Sequence, residues 1–149
     1  MHAFASAGAG FLIAVLWFDL MFDVQTLGHA GGSNLPEEKL ASISAYYRRV
    51  TTEAQPMSRL VALVMLLTLT ALGLELLRRE APLWLAVASL VLTASAVSFP
   101  LLRTVRNAVA LGSGQGSVEH RSALARTVFR DHVYCLIAMT AVLALQLAA

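Results

Sequence analysis

The sequence predicts an all-α integral membrane protein, a four-helix bundle with a cytoplasmic interfacial helix between the first and second spans. Of its 149 residues, 58% are hydrophobic and 13% are charged, whereas a soluble domain is about 25% charged. Four apolar stretches are each about 20 residues long, enough for a helix to cross about 30 Å of hydrocarbon. Because backbone polar groups in lipid must be bonded internally and the alternation of a β-barrel is absent, each stretch is predicted to be a helix.

The spans and the interfacial helix are predicted to form a single domain, residues 1–149. The second and third spans are joined by the short link 78–81, which predicts an antiparallel hairpin. Pro100 predicts a kink near the end of the third span. The predicted spans are Phe4–Val24, Met57–Leu77, Pro82–Leu102 and Val128–Ala148.

The interfacial helix is predicted over about residues 36–54, after a glycine-rich turn at 28–34. Pro36 stands at a helix-start position, and Glu37 and Glu38 follow in the first turn. Apolar residues then recur at helical spacing, which is typical of an amphipathic helix lying along a membrane surface. These residues are Leu40, Ile43, Tyr47 and Val50.

The distribution of Lys and Arg predicts the orientation in the membrane. Nine of the eleven basic residues lie in or beside the first and third loops, and two lie in the second. By the positive-inside rule, the first and third loops are cytoplasmic. The sequence therefore predicts a multi-pass protein of the cell membrane with both termini outside.

Two carboxylates at the end of the first span are the most informative polar residues. An ionised side chain near the membrane centre costs about 2.5–3.5 kcal/mol on insertion scales. Asp19 lies about one turn inside the cytoplasmic end of the span, and Asp23 follows on the same helical face. The helix dipole disfavours negative charge at this end, so both carboxylates need cationic or hydrogen-bonding partners.

Basic residues of the other three spans are predicted at the same depth. One interpretation is a cytoplasm-facing pocket in which Asp19 acts as acid or base and Arg130 or Arg103 sets its protonation state. The other is a structural girdle of ion pairs that fixes helix register. The candidate catalytic residues are Asp19, Asp23, Arg130 and His132. The candidate substrate-binding residues are Trp17, which is predicted to line a cavity beside Asp19, and Arg59, Arg103 and Arg126. No metal ion or cofactor is predicted.

Two further features are interpreted as structural. Glu75, near the outer end of the second span, is predicted to pair locally with Arg78 or Arg79. Ser6, Gly10 and Ala14 form a small-residue face that allows close approach of a helix within the bundle or from another subunit.

The layout resembles the anthrone oxygenase-like group of bacterial four-span proteins. The resemblance rests on the segments SAGAGFLIAVLWF, QPMSRL, FPLLRTVRN and RSALARTVFRDH. It implies a four-span fold and, for members with an activity, a cofactor-independent oxygenase that converts an anthrone to an anthraquinone. The paired acids Asp19 and Asp23 depart from the pattern of the group, so no catalytic residue is transferred.

Three function classes follow from these features. The first is a non-catalytic membrane subunit or assembly protein, which contacts a membrane protein partner or a second copy of itself. The second is an oxygenase-like membrane enzyme acting on a lipophilic small molecule that enters from the bilayer. The third is a small transporter, which the lack of central charged residues disfavours. A formal net charge of +2 with scattered basic residues does not indicate nucleic-acid binding.

Overall fold

All regular secondary structure is helical among the residues that the structure, a computed structural model, describes. These are residues 1–27 and 34–149, so the predicted glycine-rich turn lies outside the description except for Asn34. A 3-10 turn spans Val24–Thr26, and π-helical turns span Arg49–Glu53 and Pro100–Thr104. The α-helices are α1 (His2–Asp23), α2 (Glu37–Arg48), α3 (Gln55–Arg78), α4 (Leu83–Phe99), α5 (Val105–Gly112) and α6 (Val118–Leu147).

The prediction of an all-α protein with four membrane spans is confirmed. Within the described ranges, four helical segments are long and apolar enough to cross a membrane: His2–Thr26, Gln55–Arg78, Leu83–Gly112 and Val118–Leu147. The last helix begins at Val118 instead of near Val128, because the arginine-rich segment before the apolar stretch is also helical.

Proline and glycine explain where these helices begin and end. Pro56 lies in the first turn of α3. The N–H groups of a first turn have no acceptor within the helix, so the proline, which lacks an N–H, costs no hydrogen bond there. The regular part of α4 ends at Phe99, and a π-helical turn begins at Pro100; the kink at this proline stays a prediction. That turn leads into α5, a helix that the hydropathy pattern did not predict.

The described residues fall into two compact units. Unit one comprises Met1–Trp17, Arg59–Ser98 and Tyr134–Ala149. Its interior consists mainly of small or aliphatic side chains, whereas large apolar side chains point outward, the pattern expected where lipid is the solvent. Buried examples are Ala5, Ala9, Leu72, Ala86 and Val142; exposed examples are Leu66, Trp84 and Ile137.

Unit two comprises Phe18–Ser58 and Phe99–Val133 and has a core of its own. The interfacial helix is present as α2, but its apolar residues pack inside this unit instead of facing lipid. Leu40, Ile43 and Tyr47 are buried together with residues of α5 and α6, which include Ala108, Leu111, Ala125 and Val128. The amphipathic pattern of α2 therefore reflects protein packing, because the neighbouring helices supply the apolar surface that lipid was expected to supply.

The approach of α5 to α2 is unusually close at Gly112. A Cβ atom on this residue would lie 2.7 Å from the backbone nitrogen of Arg48 and 3.0 Å from the carbonyl carbon of Tyr47. Arg48 Nε also donates a hydrogen bond of 3.1 Å to the Gly112 carbonyl oxygen. This contact holds the α2 backbone, and with it the tyrosines that α2 carries, against α5.

Candidate functional site

Three segments of unit two bring a group of titratable side chains together. The end of α1 carries Asp19 and Asp23 one turn apart, α2 carries the adjacent Tyr46 and Tyr47, and α6 carries His132. We refer to these five residues as the acid–tyrosine cluster. Its members come from distant parts of the chain, since the contacting residues Asp23 and His132 are 109 residues apart.

Asp23 is the most enclosed member of the cluster, with none of its surface exposed. Tyr47 Oη donates a hydrogen bond of 2.6 Å to Asp23 Oδ1. His132 Nδ1 donates one of 2.7 Å to Asp23 Oδ2. Both carboxylate oxygens therefore have short, well-placed donors, which is what a buried carboxylate requires.

Asp19 lies closer to the surface, and 17% of its side chain is exposed. Tyr46 Oη donates a hydrogen bond of 2.6 Å to Asp19 Oδ1. The second oxygen, Oδ2, is 3.9 Å from His132 Nε2, so the imidazole lies between the two carboxylates. The Tyr46 ring stacks on Phe22 at a centroid distance of 4.0 Å, which fixes the direction of its hydroxyl group.

Both tyrosines act as neutral donors. Burial raises the pKa of Tyr46, and the negative charge of Asp19 raises it further. Burial likewise raises the pKa of Tyr47, with Asp23 as the next largest cause. The phenol hydrogens therefore remain in place for hydrogen bonding over the physiological pH range.

A second pairing in unit two involves Asp131, the residue before His132. Arg103 contacts both carboxylate oxygens of Asp131, Nε with Oδ2 at 3.1 Å and Nη2 with Oδ1. Thr104 Oγ1 donates a further hydrogen bond of 2.8 Å to Oδ2. Arg103 also lies over the Phe99 ring, 5.4 Å from its centroid. This arrangement fastens the turn after α4 to α6.

Of the basic residues expected beside the acidic pair, His132 contacts both carboxylates, but the expectation that Arg103 pairs with Asp19 is wrong. Arg103 bonds to Asp131 instead. Arg130, the other expected partner, is exposed. The physical reason is that tyrosine hydroxyls on the buried face of α2 reach the carboxylates directly, whereas long arginine side chains extend towards the surface.

The remaining candidates have different surroundings. Arg126, in unit two, is half-buried. Trp17 and Arg59 belong to unit one, and both are exposed, Trp17 by 62%. The cavity beside Asp19 that Trp17 was expected to line stays a prediction.

The sequence analysis missed the polar roles of Tyr46, Tyr47, Asp131 and Thr104. Tyr47 was assigned to the apolar face of α2, which is correct for its ring but not for its hydroxyl. A usable signal was present, because a tyrosine on a buried face generally places its hydroxyl against a polar partner. Asp131 lies between Arg130 and His132 in the sequence, and this position does not indicate that Arg103 is the arginine that binds it.

Fold and site together define a small polytopic α-helical membrane protein with an internally bonded polar cluster in unit two. Residues 5–149 match the family model of the SHR3 chaperone, described as an ER membrane protein SH3. The chain belongs to this family. No curated protein and no solved structure gives a significant match to the chain. The family description refers to the ER membrane, which differs from the cell membrane that the sequence predicts.

Proposed function

We propose that this protein is a non-catalytic assembly factor that assists other membrane proteins. Membership of a family named for a chaperone supports this proposal. So does the composition of the spans, which carry few charged residues and expose large apolar side chains over much of their length.

The observation that carries the proposal is the burial and complete hydrogen bonding of Asp23 in the acid–tyrosine cluster. A general acid or base has to reach a proton of its substrate, directly or through one water. Asp23, by contrast, is fully buried with both oxygens bonded inside the protein. His132 is 8% exposed and Asp131 is 3% exposed. Such groups are suited to holding helices together in a fixed arrangement.

A reconstituted synthesis reaction tests the proposal. The full-length chain is placed in phosphatidylcholine nanodiscs, a membrane protein with many spans is synthesised in their presence, and its aggregated fraction is measured by sedimentation. We expect aggregation to fall in proportion to the amount of chain added, up to an equimolar ratio. A chaperone acts by binding, so trace amounts should have no effect. Unchanged aggregation at equimolar ratio, or full protection by trace amounts, would contradict the proposal.

A deletion strain provides the cellular counterpart. Loss of the protein should shift a subset of multi-span proteins into the detergent-insoluble fraction, and fractionation of the complemented strain identifies the membrane in which the protein works. The orientation with both termini outside stays a prediction from the distribution of basic residues. The oxygenase-like alternative also stays a prediction, as does the transporter alternative.

A further inference from the structure

Unit one contains a second polar group, which none of the roles above uses. Glu75 of α3 is fully buried, and around it lie Gln146 of α6, Ser89 of α4 and His2 of α1. We refer to these four residues as the Glu75 cluster. The expectation that Glu75 pairs with Arg78 or Arg79 is wrong, because its carboxyl group is directed into the unit. Arg78 instead lies 3.7 Å from Glu80.

The hydrogen bonds of the Glu75 cluster are long and incomplete. Gln146 Nε2 is 3.3 Å from Glu75 Oε1 and 3.3 Å from Ser89 Oγ, at the upper end of the normal range. Glu75 Oε2 accepts no hydrogen bond from any described residue. A buried carboxyl oxygen without a donor is costly in a low-dielectric surrounding, and native structures normally avoid it.

His2 lies nearest to the unbonded oxygen. Its Nδ1 atom is 3.5 Å from Glu75 Oε2, too far for a hydrogen bond, and 3.1 Å from Gln146 Oε1. The His2 side chain is 33% exposed, while that of Glu75 is not exposed at all. A better donor that displaced this partly exposed side chain would meet the Glu75 carboxyl group.

The cluster lies near the ends of its helices. Glu75 is three residues before Arg78, where α3 ends, and Gln146 is next to Leu147, where α6 ends. At about 1.5 Å per residue, Glu75 is about one turn from the end of its span. A lysine near the outer end of a partner's transmembrane helix could reach this depth, since its apolar stem can follow the span while its charge stays near the boundary.

We propose that the Glu75 cluster binds the ammonium group of a lysine near the end of a partner's transmembrane helix. This proposal rests on the proposed function, and it names the chemistry by which a client is recognised. An ammonium group has three donors and no acceptor. Glu75 Oε2 and Gln146 Oε1, which lie 3.5 Å and 3.1 Å from His2 Nδ1, offer two oxygen acceptors for it at the position that His2 fills. His2 occupies the place of the lysine until a client arrives.

Zero-length cross-linking tests the proposal directly. The chain in nanodiscs of phosphatidylcholine, a lipid without a primary amine, is mixed with a synthetic poly-leucine transmembrane peptide carrying one lysine a turn from its end. A membrane-permeant carbodiimide then joins a carboxyl group to an amine in contact with it. Mass spectrometry should locate the isopeptide bond at Glu75. Bonds only at other carboxyl groups, such as the partly exposed Glu80, would overturn the proposal.

The affinity of the peptide for the chain, measured by fluorescence resonance energy transfer, gives a quantitative test of the same proposal. Replacement of the peptide lysine by leucine should weaken binding to the wild-type chain about tenfold, the effect expected of a polar contact between helices in a membrane. Glu75→Gln should abolish this difference. Equal binding of the lysine and leucine peptides to the wild type would overturn the proposal.

A second variant covers the case in which Glu75→Gln does not fold. His2→Ala removes the group that stands in for the lysine, so it should raise both the cross-link yield and the affinity for the lysine peptide. A decrease in both would overturn the proposal. With phosphatidylethanolamine added to the discs, preferential coupling of Glu75 to this lipid would also overturn it. Because no client is folded in this assay, its failure is distinguishable from failure of the aggregation assay.

Discussion

The acid–tyrosine cluster and the Glu75 cluster each contain a fully buried carboxyl group, but the two groups differ in how completely they are hydrogen-bonded. In unit two, both oxygens of Asp23 accept short hydrogen bonds, of 2.6 and 2.7 Å. In unit one, Glu75 receives one donor at 3.3 Å, and its other oxygen receives none from the described residues. A buried carboxylate whose hydrogen bonds are complete holds helices together. One whose hydrogen bonds are incomplete can bind an additional donor.

Removal of the Asp23 carboxylate should have the largest effect. Asp23→Ala leaves the Tyr47 hydroxyl and the His132 Nδ1–H without their acceptor in a buried place. Loss of one partner from a buried charged pair typically costs about 3–5 kcal/mol, so we expect a decrease of about 4 kcal/mol in the free energy of unfolding. Denaturant titration in detergent measures it, and hydrogen exchange should show the loss of protection in α2 before α4.

Glu53→Ala is the control for this substitution, since Glu53 is an exposed acid of the same unit. It should change the stability by less than about 0.5 kcal/mol. Equal effects of the two substitutions would show that Asp23 does not hold the helices of unit two together.

Replacing each of the two tyrosines by phenylalanine should give the next largest losses of stability. Tyr47→Phe removes the donor of fully buried Asp23 and should cost about 2 kcal/mol, as expected for a hydrogen bond to a charged group. Tyr46→Phe should cost about 1 kcal/mol, because partly exposed Asp19 can exchange the lost donor for water. Thermal unfolding of both variants in one detergent provides the measurement. The reverse order would contradict the assignment of Asp23 as the more enclosed carboxylate.

Helix packing in unit one can be tested by two glycines of the same helix. A Cβ atom on Gly8 would collide with Thr68 Oγ1, whereas one on Gly10 would have nothing within 4 Å. We expect Gly8→Ala to destabilise the protein by about 1.5 kcal/mol through overpacking. Gly10→Ala should be neutral or stabilising by up to about 1 kcal/mol. In denaturant titrations, Thr68→Ala should recover part of the Gly8→Ala loss; additive effects of the two changes would contradict the contact.

Of the substitutions in the two clusters, Glu75→Gln is expected to change the stability least. Because the carboxyl group has only one long hydrogen bond to lose, the change in the free energy of unfolding should stay below about 1 kcal/mol. The same denaturant titration used for Asp23→Ala measures it. A loss of unfolding free energy as large as that of Asp23→Ala would show that Glu75 also holds helices together, and the two clusters would then not differ in role.

Much of the fold follows from local sequence, whereas the partners in the site do not. The helical nature of 37–53 was predictable from Pro36, the acidic first turn and the apolar spacing. What this helix packs against was not, because lipid and the apolar faces of α5 and α6 satisfy the same pattern. Similarly, Asp19 and Asp23 were recognisable as residues that need partners, but depth alone favoured arginine over tyrosine.

The all-α class and the four membrane spans follow from the amino-acid sequence, because hydropathy is a sum over neighbouring residues and needs no knowledge of contacts. The contacts of Asp23 with Tyr47 and His132, and of Glu75 with Gln146, are known from the three-dimensional arrangement of the helices. Those contacts depend on how each helix is rotated about its axis and on which segments pack together. Both are set by many weak packing interactions between residues far apart in the chain.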